Sequence, residues 1–210
     1  MHETVIVFKI LFVILHNLIP AVKDMIPDFD HNHVTPPHIG DPRKEEEISP
    51  YYSNTLEFVT KFGTSIERID ILKKFLEFRQ KLTEYGFTNG YQWLDGSFTE
   101  NIEILENRAP RDLDIITLYD QPIFTNDQIL NISNNFKSFF DSEISKREYK
   151  LDHYPFNYTN NPDFTVKYTT YWIQLFSHNR LGVWKGIIKV DLNTPEIDQQ
   201  AIEYLTNLAL

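Results

Sequence analysis

The chain has 210 residues, 41% hydrophobic and 24% charged, with no cysteine and a formal charge of -10. This composition excludes a disordered chain and a polytopic membrane protein, and the length suits one domain with a small appendage. Without cysteine there is no disulfide, no thiol nucleophile and no sulfur-based zinc site, so a metal would need oxygen or imidazole ligands. The acidic total repels a phosphate backbone and argues against a long nucleic acid as partner. The excess is uneven, however. Residues 91–130 hold eight acids against two arginines, whereas residues 146–190 hold seven bases against three acids. A segment suited to divalent cations precedes one suited to phosphates.

In chain order, Val5 to Leu15 is apolar at every position but Lys9. The run is too short for a spanning helix of about 20 residues, and its leader lacks the basic residues of a signal peptide. Residues 1–24 therefore read as an apolar extension outside the functional protein, which is expected to start at Met25 and to lie in the cytoplasm. A membrane tether through residues 5–19 is the competing reading. Residues 25–53 form an extended arm in which Pro27, Pro36, Pro37, Pro42 and Pro50 exclude regular helix. The arm's Asp28, Asp30, His31, His33 and His38 match no ligand spacing that a helix provides, so they read as surface groups.

Residues 54–210 are expected to form a single domain. Ser65 to Tyr85 is an amphipathic helix with Ile66, Ile69, Leu72, Phe75, Leu76 and Leu82 near one face and Gly86 as its stop. A short strand follows at Gln92 to Leu94, then a turn at Asp95-Gly96-Ser97 and a helix-like stretch to Glu106. Asp112 to Tyr119 is a second strand, and Asn126 to Phe140 reads as a helix. Tyr149 to Phe156 is a third strand, Tyr168 to Phe176 fits either strand or helix, and Trp184 to Leu192 is a fourth strand. Thr194 caps a last helix opened by Pro195. Strands alternating with helices without repeats give an α+β unit with α/β character, a small mixed sheet flanked by helices behind a proline-rich N-terminal arm.

The chemistry concentrates between Gly96 and Asp114. Glycine is scarce, seven in the chain. Gly96 lets backbone approach a ligand, and Ser97 offers a hydroxyl and an amide where a helix would begin. In Asp112-Leu113-Asp114-Ile115 the two carboxylates project from one face of a strand. Their repulsion calls for a cation, and an oxygen-only ligand set favours magnesium or manganese.

Gly96-Ser97, an intervening helix, and then Asp-x-Asp on the next strand resemble the signature of the polymerase-β-type nucleotidyltransferase superfamily. Trp93-Leu94-Asp95-Gly96-Ser97-Phe98, with Ala109-Pro110-Arg111 before Asp112, is similar more narrowly to a group of uncharacterised bacterial and phage nucleotidyltransferase-like proteins. Their arm is similar to Ile26 through Pro50, and their C-terminal half to Tyr171-Trp172 with Trp184-Lys185-Gly186. The resemblance covers about Met25 to Leu192. It implies a sheet of nucleotidyltransferase type and magnesium-dependent transfer of a nucleoside monophosphate from a nucleoside triphosphate to a hydroxyl. Asp112 and Asp114 would hold the cations, and a third carboxylate would be Asp152 or, as the alternative, Asp191. Gly96 and Ser97 would cradle the triphosphate, and Arg180, Lys185 or Lys189 would offset its charge. Tyr171, Trp172 and Trp184 read as core residues or as a platform for the base, and His153 and His178 as packed histidines or proton carriers. The acceptor, whether small molecule, protein or tRNA end, is not written in the sequence. A toxin-antitoxin or defence setting with a protein partner is compatible with the resemblance. The alternative is a catalytically silent binding module on the same fold, an antitoxin-like or regulatory subunit.

Overall fold

The computed structural model describes residues 26–120, 122 and 124–208. The apolar run Val5 to Leu15 and the expected start at Met25 lie outside these residues. Five strands form one mixed sheet: β1 (Tyr51–Ser53), β2 (Gly90–Asp95), β3 (Leu113–Tyr119), β4 (Leu151–Asn157) and β5 (Ile188–Asp191). They lie in the order β1-β5-β2-β3-β4, with β1 parallel to β5, β3 parallel to β4, and β2 antiparallel to both its neighbours. The helices are α1 (Thr55–Phe62), α2 (Ile66–Glu84), α3 (Ile102–Glu106), α4 (Asn126–Asn135), α5 (Ser142–Tyr149), α6 (Pro162–Phe176) and α7 (Pro195–Asn207). This is the α+β class that the alternating pattern indicates. No helix among the described residues is long and apolar enough to cross a membrane.

The two faces of the sheet are unequally covered. Alternate residues of a strand point to opposite faces, and Leu94, Leu113, Ile115, Leu151 and Val190 join one core with Phe58 and Phe62 of α1, Leu72, Phe75 and Phe78 of α2, and Leu205 of α7. Phe58 meets Phe62, Phe75 and Phe98 at ring-centroid separations of 4.9 to 5.9 Å, tilted or edge-on, the arrangement that aromatic quadrupoles favour. Each such ring removed from water is worth about 1.5–3 kcal/mol. On the other face, Trp93, Ile116, Leu118 and Phe156 pack against Trp172 and Phe176 of α6 alone. The strand ends beyond α6 stay open.

Several elements differ from the sequence reading. Ser65, expected as the first residue of the helix, instead caps α2, its hydroxyl accepting from Arg68 N at 3.3 Å, and Ile66 on the first turn stays exposed. Asn126 to Phe140 is not one helix. It breaks after Asn135 into a 3-10 turn at Lys137–Phe139 that buries Phe139 and leaves Phe140 in solvent. Asp141 then caps α5, accepting from Glu143 N at 2.9 Å, so Tyr149 ends a helix and the third strand begins at Leu151. Tyr168 to Phe176 is helical, the C-terminal part of α6. The fourth strand shrinks to Ile188–Asp191, and Trp184 makes only an isolated bridge to His178. Thr194 does not cap α7 with its side chain. Its hydroxyl instead donates to Asp198 and accepts from Arg79.

The arm is more structured than its prolines imply. It supplies β1, and its Val34 and Thr35 are buried. Thr35 Oγ1 donates to Thr99 O at 2.9 Å, and Gly186 N donates to Thr35 O at 2.7 Å. The arm therefore runs under the Gly96 turn and ties it to the segment before β5.

Arg79 of α2 joins the far end of the sheet to α7. Its buried guanidinium donates to Asp198, to Gln92 of β2, to Thr194 and to the carbonyls of Asp191 and Leu192, at 2.8 to 3.1 Å. Truncating one partner of a buried ion pair typically costs about 3–5 kcal/mol. Arg79→Ala is expected to lower stability by that amount, read as a lower urea midpoint at an unchanged slope.

Candidate active site

Three aspartates meet where β2, β3 and β4 end side by side. Asp114 lies opposite Asp95 on β2 and opposite Asp152 on β4. Neighbouring strands are about 4.8 Å apart. Asp112, Asp114 and Asp152 each bring a carboxylate oxygen within 4.8 Å of the others. The sheet's alternation puts Asp114 and Asp152 on the face shared with α6, and His153, next in sequence to Asp152, in the opposite core. There His153 lies beside Phe78 and Phe139 and within 2.8 Å of Thr117 Oγ1, with burial lowering its pKa to about 3. His153 is thus a packed histidine.

The aspartates floor a cleft of about 980 Å³. One wall is the Gly96 turn and α3, and the other is Tyr154 with Tyr171, Gln174, Leu175 and the loop through His178 and Arg180. Gly96 has φ +81, and a Cβ there would lie 2.7 Å from Asp114 Cγ, well inside contact distance. Only glycine allows the turn to pass so close to that carboxylate. Gly96 and Ser97, expected as a turn before a helix-like stretch, open a 3-10 turn, Gly96–Thr99, and the α-helix begins only at Ile102.

Burial pushes Asp114 up to about 7, with the charges of Asp112, Asp95 and Asp152 adding to the effect. Burial also raises Asp112, opposed by Lys146 and reinforced by Asp152. Asp152 holds Lys146 Nζ at 2.7 Å through Oδ2, while its Oδ1 is buried without a hydrogen-bond partner. Three converging carboxylates, one with a vacant buried oxygen, form the hard donor set that magnesium or manganese takes. Among the described residues this is the one group of three acids or histidines with such spacing; His31, His33 and His38 of the arm form none.

The basic candidates separate. Arg180 is exposed and lines the cleft. Lys185 does not project from a strand into solvent: it precedes β5 and is 2% exposed. Its ammonium donates to Gly96 O at 2.8 Å and Glu100 Oε1 at 3.0 Å, and lies 3.1 Å from Asp95 Oδ1. Burial works to lower its pKa and is outweighed by Asp95 and Glu100, so the net shift is upward. Asp95, buried beside it, is nonetheless pushed up to about 6 by desolvation. Lys189 lies outside the cleft lining, its Nζ 4.2 Å from the centre of the Tyr91 ring. Asp191 also lies outside it and accepts from the Tyr52 hydroxyl. Tyr171 lines the cleft, Trp172 belongs to the core under α6, and exposed Trp184 packs edge-on against His178 outside the lining. The sequence reading missed Lys146, whose helix α5 it did not recognise, and the pairing of Glu100 with Lys185. The Asp141 cap was the available signal for α5.

The result is an α+β protein with a three-aspartate cleft at one end of a mixed sheet. Residues 27–191 match the model of a family of unknown function, DUF6932, and the chain belongs to that family. No curated protein and no solved structure matches it.

Two outcomes follow from this geometry. Gly96→Ala is expected to lose at least the 1–2 kcal/mol or so that a side chain costs in left-handed backbone, measured by urea unfolding against wild type. Asp114 is held neutral by the fold, so its contribution to stability is complete below about pH 4 and is lost as pH rises through about 7. Melting curves from pH 5 to pH 8 without divalent cations should therefore show wild type losing stability relative to Asp114→Asn, by on the order of 3 kcal/mol at most, since the carboxyl titrates about two pH units above the start of that window. Parallel curves for the two proteins would show that Asp114 ionises normally.

Proposed function

We propose that the protein is a divalent-cation-dependent nucleotidyltransferase that joins a nucleoside monophosphate to a hydroxyl acceptor. The observation that carries this reading is the convergence of Asp112, Asp114 and Asp152 beside a turn that only glycine can form against Asp114. Asp112 and Asp114 would hold magnesium or manganese, with Asp152 as the third carboxylate. The bound ion supplies charge neutralisation for the phosphates and lowers the pKa of a coordinated hydroxyl.

The chain's own residues do the rest. The Gly96-Ser97 turn receives the triphosphate, with no side chain at Gly96 to block its approach. Arg180, reaching in from the loop after α6, meets the charge that gathers on the leaving pyrophosphate. Asp152 orients the acceptor hydroxyl and accepts its proton as the acceptor oxygen bonds to the α-phosphorus and the bond to pyrophosphate breaks. Lys185 acts beneath the turn, holding its carbonyl, rather than on the phosphates. Tyr171 offers a ring to the nucleobase at the mouth of the cleft. An acceptor hydroxyl on a small molecule, protein or tRNA end, a cytoplasmic location and a toxin-antitoxin or defence setting go with this reading.

Purified protein incubated with magnesium, an α-labelled nucleoside triphosphate and a panel of acceptors is expected to transfer label. Asp112→Asn/Asp114→Asn should reduce transfer by more than about a hundredfold, since the charge stabilisation lost is several kcal/mol. Circular dichroism should show the fold retained. Equal labelling by the double variant would overturn the proposal.

A further inference from the structure

We infer that the cleft binds a single divalent cation and that the Lys146 ammonium stands where a second would bridge Asp112 and Asp152. The inference rests on the reading that these aspartates hold a metal, and it concerns how many ions they take. Lys146 Nζ is 2.7 Å from Asp152 Oδ2, lines the cleft, and is about one third exposed. Asp112 brings a carboxylate oxygen within 4.8 Å of Asp152, and the charge of Lys146 also opposes the rise at Asp112. Asp114 has no such cation at its side; buried Lys185 acts on it only after three carboxylates.

The lysine is held in this position by the fold. Ser145, next to it on α5, is fully buried, and its hydroxyl donates to Leu151 O at 2.6 Å, locking the helix to the first residue of β4. The helix start is fixed by Asp141, and its end by Lys150 in the left-handed conformation. Lys146 therefore projects toward Asp152, one residue along β4, by construction. With a cation in place Asp114 gives up its proton, and three carboxylates with one ammonium then leave two negative charges, which one dication neutralises. A second dication would have to expel the ammonium from Asp152. The single ion is accordingly assigned to Asp112 and Asp114, which leaves the partnerless Asp152 Oδ1 to the acceptor hydroxyl.

Manganese alone, titrated into the whole protein and counted by the electron paramagnetic resonance of the free ion, tests this. Wild type and Lys146→Arg are expected to bind one ion per chain, and Lys146→Met two, its second ion at least tenfold tighter than any second ion on wild type. Melting curves without manganese check that each variant is folded, and Asp112→Asn/Asp114→Asn should remove the first ion. Two ions on wild type, or one on Lys146→Met, would overturn the inference and leave nucleotidyl transfer standing. No ion on any form would overturn both. One ion becoming two, without label transfer by wild type, would support the inference and sink the enzymatic reading.

Discussion

The buried ammonium of Lys185 is the constraint around which the cleft end of the molecule is organised. Placing an ion out of water costs several kcal/mol unless its partners surround it. Here they do: the Gly96 carbonyl, Glu100 and Asp95 come from the turn after β2, while the lysine arrives from the segment before β5. One charge thus fixes two chain segments against each other. The arm completes the arrangement, since Thr35 bonds to Thr99 on one side and to Gly186, next to the lysine, on the other. The proline-rich stretch is therefore part of the turn's support.

From that fixed turn the electrostatics of the cleft follow. Asp95 and Glu100 together outweigh the lysine, so the region carries negative charge before Asp114 is counted. Asp114 then lies against Gly96, largely buried, with like charges on both sides, and its pKa rises to about 7. A structure that only had to be stable would relieve this crowding with an apolar residue. Keeping it makes sense where a ligand brings positive charge, since the repulsion between the carboxylates would then become affinity for a cation.

What could be read from the sequence was what depends on local periodicity and spacing. Helix α2 shows its apolar stripe and its Gly86 stop. The paired carboxylates at the start of β3 follow from alternation along a strand, whereas Asp152 enters only as what the resemblance implies. What could not be read depends on partners distant in sequence. Helix α5 buries a serine, not a row of apolar residues, so it carries no periodic signal. From the sequence Lys185 is expected to offset the triphosphate charge, because nothing near it in sequence reveals Asp95 and Glu100, some 90 residues earlier. Strand β1 is three residues at the end of a proline-rich stretch, and it pairs with a strand more than 130 residues away.

The two cleft lysines illustrate why residue type alone does not assign a role. Both are ammonium groups beside aspartates, yet their environments differ. Lys185 is enclosed, 2% exposed, and directs its ammonium to the Gly96 carbonyl, Glu100 and Asp95. Its charge belongs to the scaffold. Lys146 is bound to a single carboxylate, sits at a water-accessible rim, and carries a long flexible stem on a helix that is itself rigidly fixed. Such a charge can move over a few ångströms without disturbing the fold. The scaffold thus combines one permanent counter-charge under the turn with one exchangeable counter-charge over the aspartates, and the exchangeable one alone can compete with a cation from solution.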